Sequence, residues 1–249
     1  MRSCVILGSG RSGTSMLAGT LSAAGYYMGD TLLPSTPSNP KGYFESVEIN
    51  DFNNELLAPV AAARPDGPLG YFYPWRLPTA LLWLADVDVA VNVYPTTKQA
   101  ERIREFVSKG AFCFKDPRFC YTLAAWRPLL GDAVFLCVFR EPGRTVSSIK
   151  KAARERYRGF YLTQDRSLRV WTHMYQHVLE KHSKVGQWLF VHYDQILAGS
   201  AISRIEDALD IKVDTSFIDP NLKRSRDSGN LPDRTSQIYQ RLCALAGYA

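Results

Sequence analysis

Short unbroken apolar runs alternate along this chain with longer stretches in which apolar residues recur every three or four positions. Residues 3–7, 111–114, 133–139 and 188–192 are runs of the first kind. An unbroken apolar run, as opposed to strict alternation, marks a strand covered on both faces, as in a parallel sheet. Residues 14–24 carry Met16, Leu17 and Leu21 at helical spacing and stop at Gly25, a helix-ending glycine. The same reasoning predicts helices over 47–62, 97–108, 121–130, 143–156, 165–184, 200–209 and 237–246. The helix at 97–108 has Thr96 or Thr97 as its cap and Ile103, Phe106 and Val107 as its apolar stripe. Residues 86–93 alternate and read as a further strand. Strands and helices in alternation predict a three-layer α/β fold: a central, mostly parallel sheet of about four to five strands with helices on both faces. No repeat interrupts the pattern, so residues 1–249 read as a single domain.

Composition narrows the function classes without choosing one. No apolar run reaches the roughly 18 residues of a membrane span, and the first apolar run is too short for a secretory segment. A cytoplasmic protein that does not engage a membrane is the expectation. Five cysteines are scattered, an odd number with no CxxC pair, and Cys4, Cys113 and Cys137 sit inside apolar runs. They read as reduced core thiols, not as metal ligands. The net charge of +6 suits an anionic small ligand. A long basic arm, as used on nucleic acids, is missing, so no nucleic-acid partner is expected.

The turns after three of the strands hold the candidate chemistry, and strand ends of such sheets collect ligands on their carboxyl side. Gly8 to Gly13 has the GxxxxG spacing of a phosphate loop, between a strand and a helix start that aim backbone N–H groups at an anion. The fold is therefore P-loop-like. Thr14 stands where a nucleoside-triphosphate-cleaving enzyme carries lysine, and Arg11 is the cation inside the loop. The strand ending at Phe139 is followed by Arg140, where a Walker B strand would offer a carboxylate. This site is rich in cations and poor in metal ligands, and no metal is expected.

Phe139-Arg140-Glu141-Pro142 followed by Ser148 resembles the 3′-phosphate-binding segment of sulfotransferases that use 3′-phosphoadenosine 5′-phosphosulfate. In that family an arginine and a serine eight residues later hold the 3′-phosphate. Gly10-Arg11-Ser12-Gly13-Thr14 resembles the 5′-phosphosulfate loop in the arginine-bearing form of tyrosylprotein and many bacterial sulfotransferases. His192-Tyr193-Asp194-Gln195-Ile196 is similar to the family segment whose tyrosine approaches the adenine. Lys115-Asp116-Pro117-Arg118 and Gly42-Tyr43-Phe44-Glu45 resemble elements of bacterial members. The likeness runs from Val5 to about Leu209. It implies a donor site of Gly10, Arg11, Ser12, Gly13, Thr14, Ser15, Arg140, Ser148 and Tyr193, with Lys223, Arg224 and Arg226 in a basic loop that covers the nucleotide in family members.

Sulfuryl transfer needs a group to take the proton of the attacking hydroxyl or amine. Glu45 is the first candidate for that base, with Arg11 stabilising charge on the leaving phosphate. His173 and His177, one helical turn apart and near Trp171, are the alternative. His182 reads as surface and His192 as structural. Lys115 and Arg118 stand ready to neutralise a sulfonate or an acidic acceptor, while Asp116 reads equally as a brace for Arg118. The acceptor is left open between a small molecule, a carbohydrate and a peptide; 65–78 and the helix around Trp171 offer aromatic surface. Oligomeric state is left open too. A P-loop kinase and a non-catalytic polyanion-binding module are the competing readings.

Overall fold

The computed structural model describes residues 1–61, 79–156, 162–219 and 230–249. Its strands are β1 (Cys4–Leu7), β2 (Cys113–Lys115), β3 (Val134–Phe139) and β4 (Gln187–His192), all parallel, in the order β2-β1-β3-β4. The helices, in chain order, are α1 (Thr14–Ser22), α2 (Val47–Leu57), α3 (Thr97–Val107), α4 (Phe119–Trp126), α5 (Pro142–Arg156), α6 (Gln164–His177), α7 (Tyr193–Leu197), α8 (Ile202–Leu209) and α9 (Asp233–Ala246).

The period of two along each strand divides the apolar runs between two cores. Val5, Leu7, Phe114, Phe135, Cys137 and Phe139 point to one side, where they meet Phe52 of α2, Trp126 of α4, Trp171 and Tyr175 of α6 and Leu242 of α9. Cys4, Ile6, Cys113, Leu136 and Val138 point to the other, against Leu17 and Leu21 of α1 and Ile205 and Leu209 of α8. Both faces are thus covered, which is why the strands read as continuous apolar runs. The expected three-layer arrangement is the observed one, with four strands among the described residues. Cys4, Cys113, Cys120 and Cys137 are buried free thiols.

Local signals set the helix starts. Thr96 and Gln99 make a reciprocal capping box for α3, Ser46 caps α2 through the Ile49 N–H at 3.3 Å, and Thr163 caps α6. Other boundaries differ from expectation. The α2 helix ends at Leu57 and continues only as a turn to the edge of the described region, short of the expected 62. The α4 helix starts two residues early and passes into a 3₁₀ turn, Arg127–Leu129, at Pro128. The α6 helix finishes in a π-helical turn, Val178–His182.

Residues 86–93 are not a strand. Val87 and Val93 do face the core, which produced the alternation. The polar residues between them are engaged elsewhere: Asp86 accepts from His173 and Arg169, and Asp88 accepts from the N–H of Ala90 in a tight local turn. Buried alternation without a neighbouring strand edge gives an extended surface segment.

The order β2-β1-β3-β4 reverses direction at β1, and this matters for the site. In doubly wound sheets of this order the crevice at the β1/β3 switch point is where ligands sit. Here the loop after β1 and the end of β3 flank that crevice.

Candidate active site

One cavity of about 650 Å³ opens at the carboxyl ends of the strands, and each strand contributes to its wall: Arg11 and the glycine loop after β1, Lys115 at the end of β2 and Arg118 after it, Arg140 after β3, and Tyr193 after β4. The α5 helix adds Ser148, Lys151 and Glu155, and α2 adds Asn50, Asp51 and Asn54.

The glycine loop ends on Gly13, which has φ +97° and precedes α1, a helix with no side-chain cap. The first N–H groups of α1 have no partner within a helix, so the start of α1 offers donors and a positive partial charge at the cavity wall. Gly13 is also a point of close approach: a Cβ there would lie 2.5 Å from Cδ2 of Tyr193. Gly10 is likewise covered, by Trp83, with a Cβ falling 2.7 Å from Cε3 and Cζ3 of the indole. Thr14 and Ser15, the first residues of α1, line the cavity.

Arg11 adopts a left-handed conformation, φ +72°. Its Nε donates to Ser148 Oγ at 3.1 Å and its Nη2 to the Ser38 carbonyl at 2.8 Å. Two sequence-predicted residues 137 positions apart are therefore in direct contact. The guanidinium of Arg140 lies 4.3 Å above the centre of the Tyr193 ring, a cation–π contact. Tyr193 is thus wedged between Gly13 and Arg140, positioning both walls of the crevice. Burial lowers the pKa of Arg11 and of Arg140 from the ordinary arginine value, an unfavourable desolvation that a bound anion offsets.

Ser12 departs from its expected place. Its hydroxyl bonds to the Tyr175 hydroxyl at 3.1 Å and its N–H to the Ser9 carbonyl, so it faces the core and not the cavity. Tyr175 also donates to Val138 O and accepts from Ser9 N–H. This buried tyrosine, invisible as a site residue in the sequence, fixes the loop to β3.

Glu45 lies inside the cavity. The Gly42-Tyr43-Phe44 turn, with φ +96° at Gly42 and +54° at Phe44, swings it inward. Phe44 is anchored edge-on against Phe217. One carboxylate oxygen pairs with Lys115 Nζ at 2.5 Å and the other accepts from Asn50 Nδ2 at 2.7 Å. Lys115 Nζ also donates to Ser15 Oγ at 3.2 Å. A single ammonium therefore bridges the candidate base and the start of α1. Asp116 braces Arg118, accepting from its backbone N–H at 2.8 Å and its Nη1 at 3.0 Å, and takes a third bond from Asn53 of α2.

The alternative base is not at the cavity: among the described residues no histidine lines it. His173 pairs with Asp86 at 2.7 Å, His177 bonds to the Asp88 carbonyl, and Trp171 is fully buried. His182 is a correction: it is 2% exposed, with Nε2 donating to the Cys120 carbonyl. His192 accepts from Asp194 N–H as the cap of α7. Lys223, Arg224, Arg226 and the aromatic segment 65–78 lie outside the described residues. Within the described residues, no helix is long and apolar enough to cross a membrane.

A sequence model of the sulfotransferase family matches residues 4–215. No curated protein matches the chain by sequence. Among solved structures, the chain is similar to the sulfotransferase STF1 of Mycobacterium tuberculosis, with 14% identity, TM-score 0.51, and coverage of 98% of this chain and 77% of that one. It is similar also to the sulfotransferase domain of the Synechococcus PCC 7002 olefin synthase, with 17% identity, TM-score 0.52 and coverage of 98% and 94%. At these identities the likeness speaks to the fold alone, a parallel sheet with helices around it.

Proposed function

Because this chain belongs to the sulfotransferase family, we propose that it transfers a sulfuryl group from 3′-phosphoadenosine 5′-phosphosulfate to a hydroxyl or amine of its acceptor. The observation that carries this reading is Lys115, whose ammonium joins the Glu45 carboxylate to Ser15 at the head of the phosphate loop. A base and an anion cradle one side chain apart are what an in-line displacement at sulfur requires.

In the proposed reaction the 5′-phosphosulfate lies against Arg11 and the N–H groups of the loop and of α1. Arg140 and Ser148 take the 3′-phosphate, supplying binding energy remote from the reacting sulfur. The acceptor oxygen or nitrogen forms a bond to sulfur as the bond from sulfur to the bridging phosphate oxygen breaks. The electron pair stays on the departing bisphosphate, and the acceptor proton passes to Glu45. Lys115 and Arg11 neutralise the negative charge that grows on the bridging and leaving oxygens. Lys223 and Arg224 are assigned to the basic loop over the nucleotide by resemblance alone. We place the reaction in the cytoplasm, where buried thiols such as Cys4 and Cys137 stay reduced.

Calorimetric titration in EDTA, with 3′,5′-adenosine bisphosphate against AMP, tests the donor. The bisphosphate is expected to bind about tenfold or more tighter, the worth of one or two charge-assisted hydrogen bonds. Arg140→Ala removes most of that preference. Equal binding of the two nucleotides by the unmodified protein refutes the donor, and undiminished discrimination in the variant refutes the role of Arg140.

A further inference from the structure

Tyr193 forms one wall of the donor crevice, yet its own element is too short to hold it there. It opens α7, which has five residues, and so short a helix has too few internal hydrogen bonds to fix its own backbone. The hold comes from the segment after α9. The Tyr248 ring stacks on the His192 imidazole, with centroids 3.7 Å apart and planes 15° apart. Its hydroxyl donates to Asp194 Oδ2 at 3.3 Å. One side chain therefore grips both chain neighbours of Tyr193.

Further bonds tie the end of α9 to the same junction. The carbonyl of Ala246, the last residue of α9, accepts from Gln195 Nε2 at 3.0 Å and from Arg204 Nη1 at 2.9 Å. These donors satisfy an orphan carbonyl of the helix end. Gln195 Oε1 in turn accepts from the His192 N–H at 2.9 Å. Tyr239, two turns earlier in α9, places its hydroxyl 3.2 Å from His192 Nε2. Gly247, at φ +59°, and a bond from the Tyr248 N–H to the Cys243 carbonyl then turn the chain back toward His192.

We infer that Tyr248 is a positioning residue for the donor site: through His192 and Asp194 it sets the backbone that aims the Tyr193 ring between Gly13 and Arg140. Resting on the sulfotransferase reading above, this adds to the site a residue that is not among those lining the cavity. A side chain's direction follows from its backbone, and holding the residues on both sides fixes the backbone at 193. The Tyr193 ring has little room for error. A Cβ on Gly13 would lie 2.5 Å from its Cδ2, and the Arg140 guanidinium lies 4.3 Å from its centre. A small rotation at residue 193 drives the ring into one wall or away from the other. Binding groups keep a productive geometry only when the residues behind them are themselves locked by packing and hydrogen bonds.

A double-mutant cycle on the full chain, read by calorimetry with 3′,5′-adenosine bisphosphate, separates positioning from general stability. Tyr248→Ala is expected to weaken the bisphosphate about five- to tenfold in the unmodified background and less than about twofold where Tyr193 is already alanine, because coupled residues are non-additive. A purely structural role would weaken binding equally in both backgrounds. Tyr248→Phe keeps the stacked ring and loses only the long bond to Asp194, so it is expected to stay within about twofold of the unmodified protein. Undiminished affinity in Tyr248→Ala, equal losses in both backgrounds, or a Tyr248→Phe variant as weak as Tyr248→Ala each overturn the inference. Should Tyr248→Ala not fold, Tyr248→Leu, which fills similar space without a flat ring, takes its place in the cycle. An unmodified protein that does not bind the bisphosphate sinks the donor reading and this inference with it. Additive losses in a protein that does bind it sink the positioning role alone.

Discussion

Glu45 is 8% exposed and held between an ammonium and an amide. Lys115 compensates the burial of its charge, and Asn50 fixes its orientation in the cavity wall. Replacing it with glutamine keeps the shape and the bond to Asn50 but removes the proposed base. Glu45→Gln is expected to lower turnover about 10²- to 10⁴-fold, the usual worth of a general base, while calorimetry finds the affinity for the bisphosphate retained. Unchanged turnover would remove Glu45 from the mechanism. Glu45 itself was legible from the GYFE segment, and Lys115 from its place after a strand. Their pairing was not, because 70 residues separate them and only the fold brings β2 and the turn before α2 together. Asn54 and Trp83 left no sequence signal: an asparagine in a helix and a tryptophan in an apolar run look like ordinary packing.

The start of α1 is sensitive to a single methyl group. Gly13 sits at φ +97° with the Tyr193 ring where a Cβ would go. Gly13→Ala combines backbone strain of about 1–3 kcal/mol with a clash that pushes Tyr193 off Arg140. Thermal melting and titration with the bisphosphate are expected to fall together. A variant of wild-type affinity would show that the Gly13–Tyr193–Arg140 stack does not shape the donor crevice. The glycine spacing of the loop was readable from the sequence as a turn between strand and helix, and that turn stands at the cavity wall. Ser12 illustrates the limit of such reading: its neighbours turn to the cavity, but Tyr175 of α6 draws its hydroxyl inward. Residues 86–93 show the converse, an alternating segment with a core-facing side but no partner strand.

At the scale of the whole molecule, burial shifts the titration of two histidines, His177 and His182. Burial lowers His177 from 6.5 to about 4, and burial with the nearby Arg127 charge lowers His182 to about 3. Between pH 6.5 and these values the unfolded chain binds protons that the folded chain does not, so stability falls as pH falls through that window. The melting temperature is expected to drop by several degrees from pH 7 to pH 4. His177→Gln, which can still donate to the Asp88 carbonyl, should flatten part of that slope; an unaltered slope would exclude His177 as a source.

At the same scale lies the division between what local pattern settles and what folding decides. Uninterrupted apolar runs, periodic helices, caps and a glycine turn are short-range signals. They sufficed for a covered parallel sheet, the helices around it and the glycine turn at the cavity wall; Arg140 and Ser148 were singled out by family resemblance, and both line that cavity. The order β2-β1-β3-β4, the contact of Arg11 with Ser148, the Lys115–Glu45 bridge and the burial of His182 are long-range matters. They follow from which strand ends pack side by side, and the pattern of one segment holds no record of the segment that will cover it.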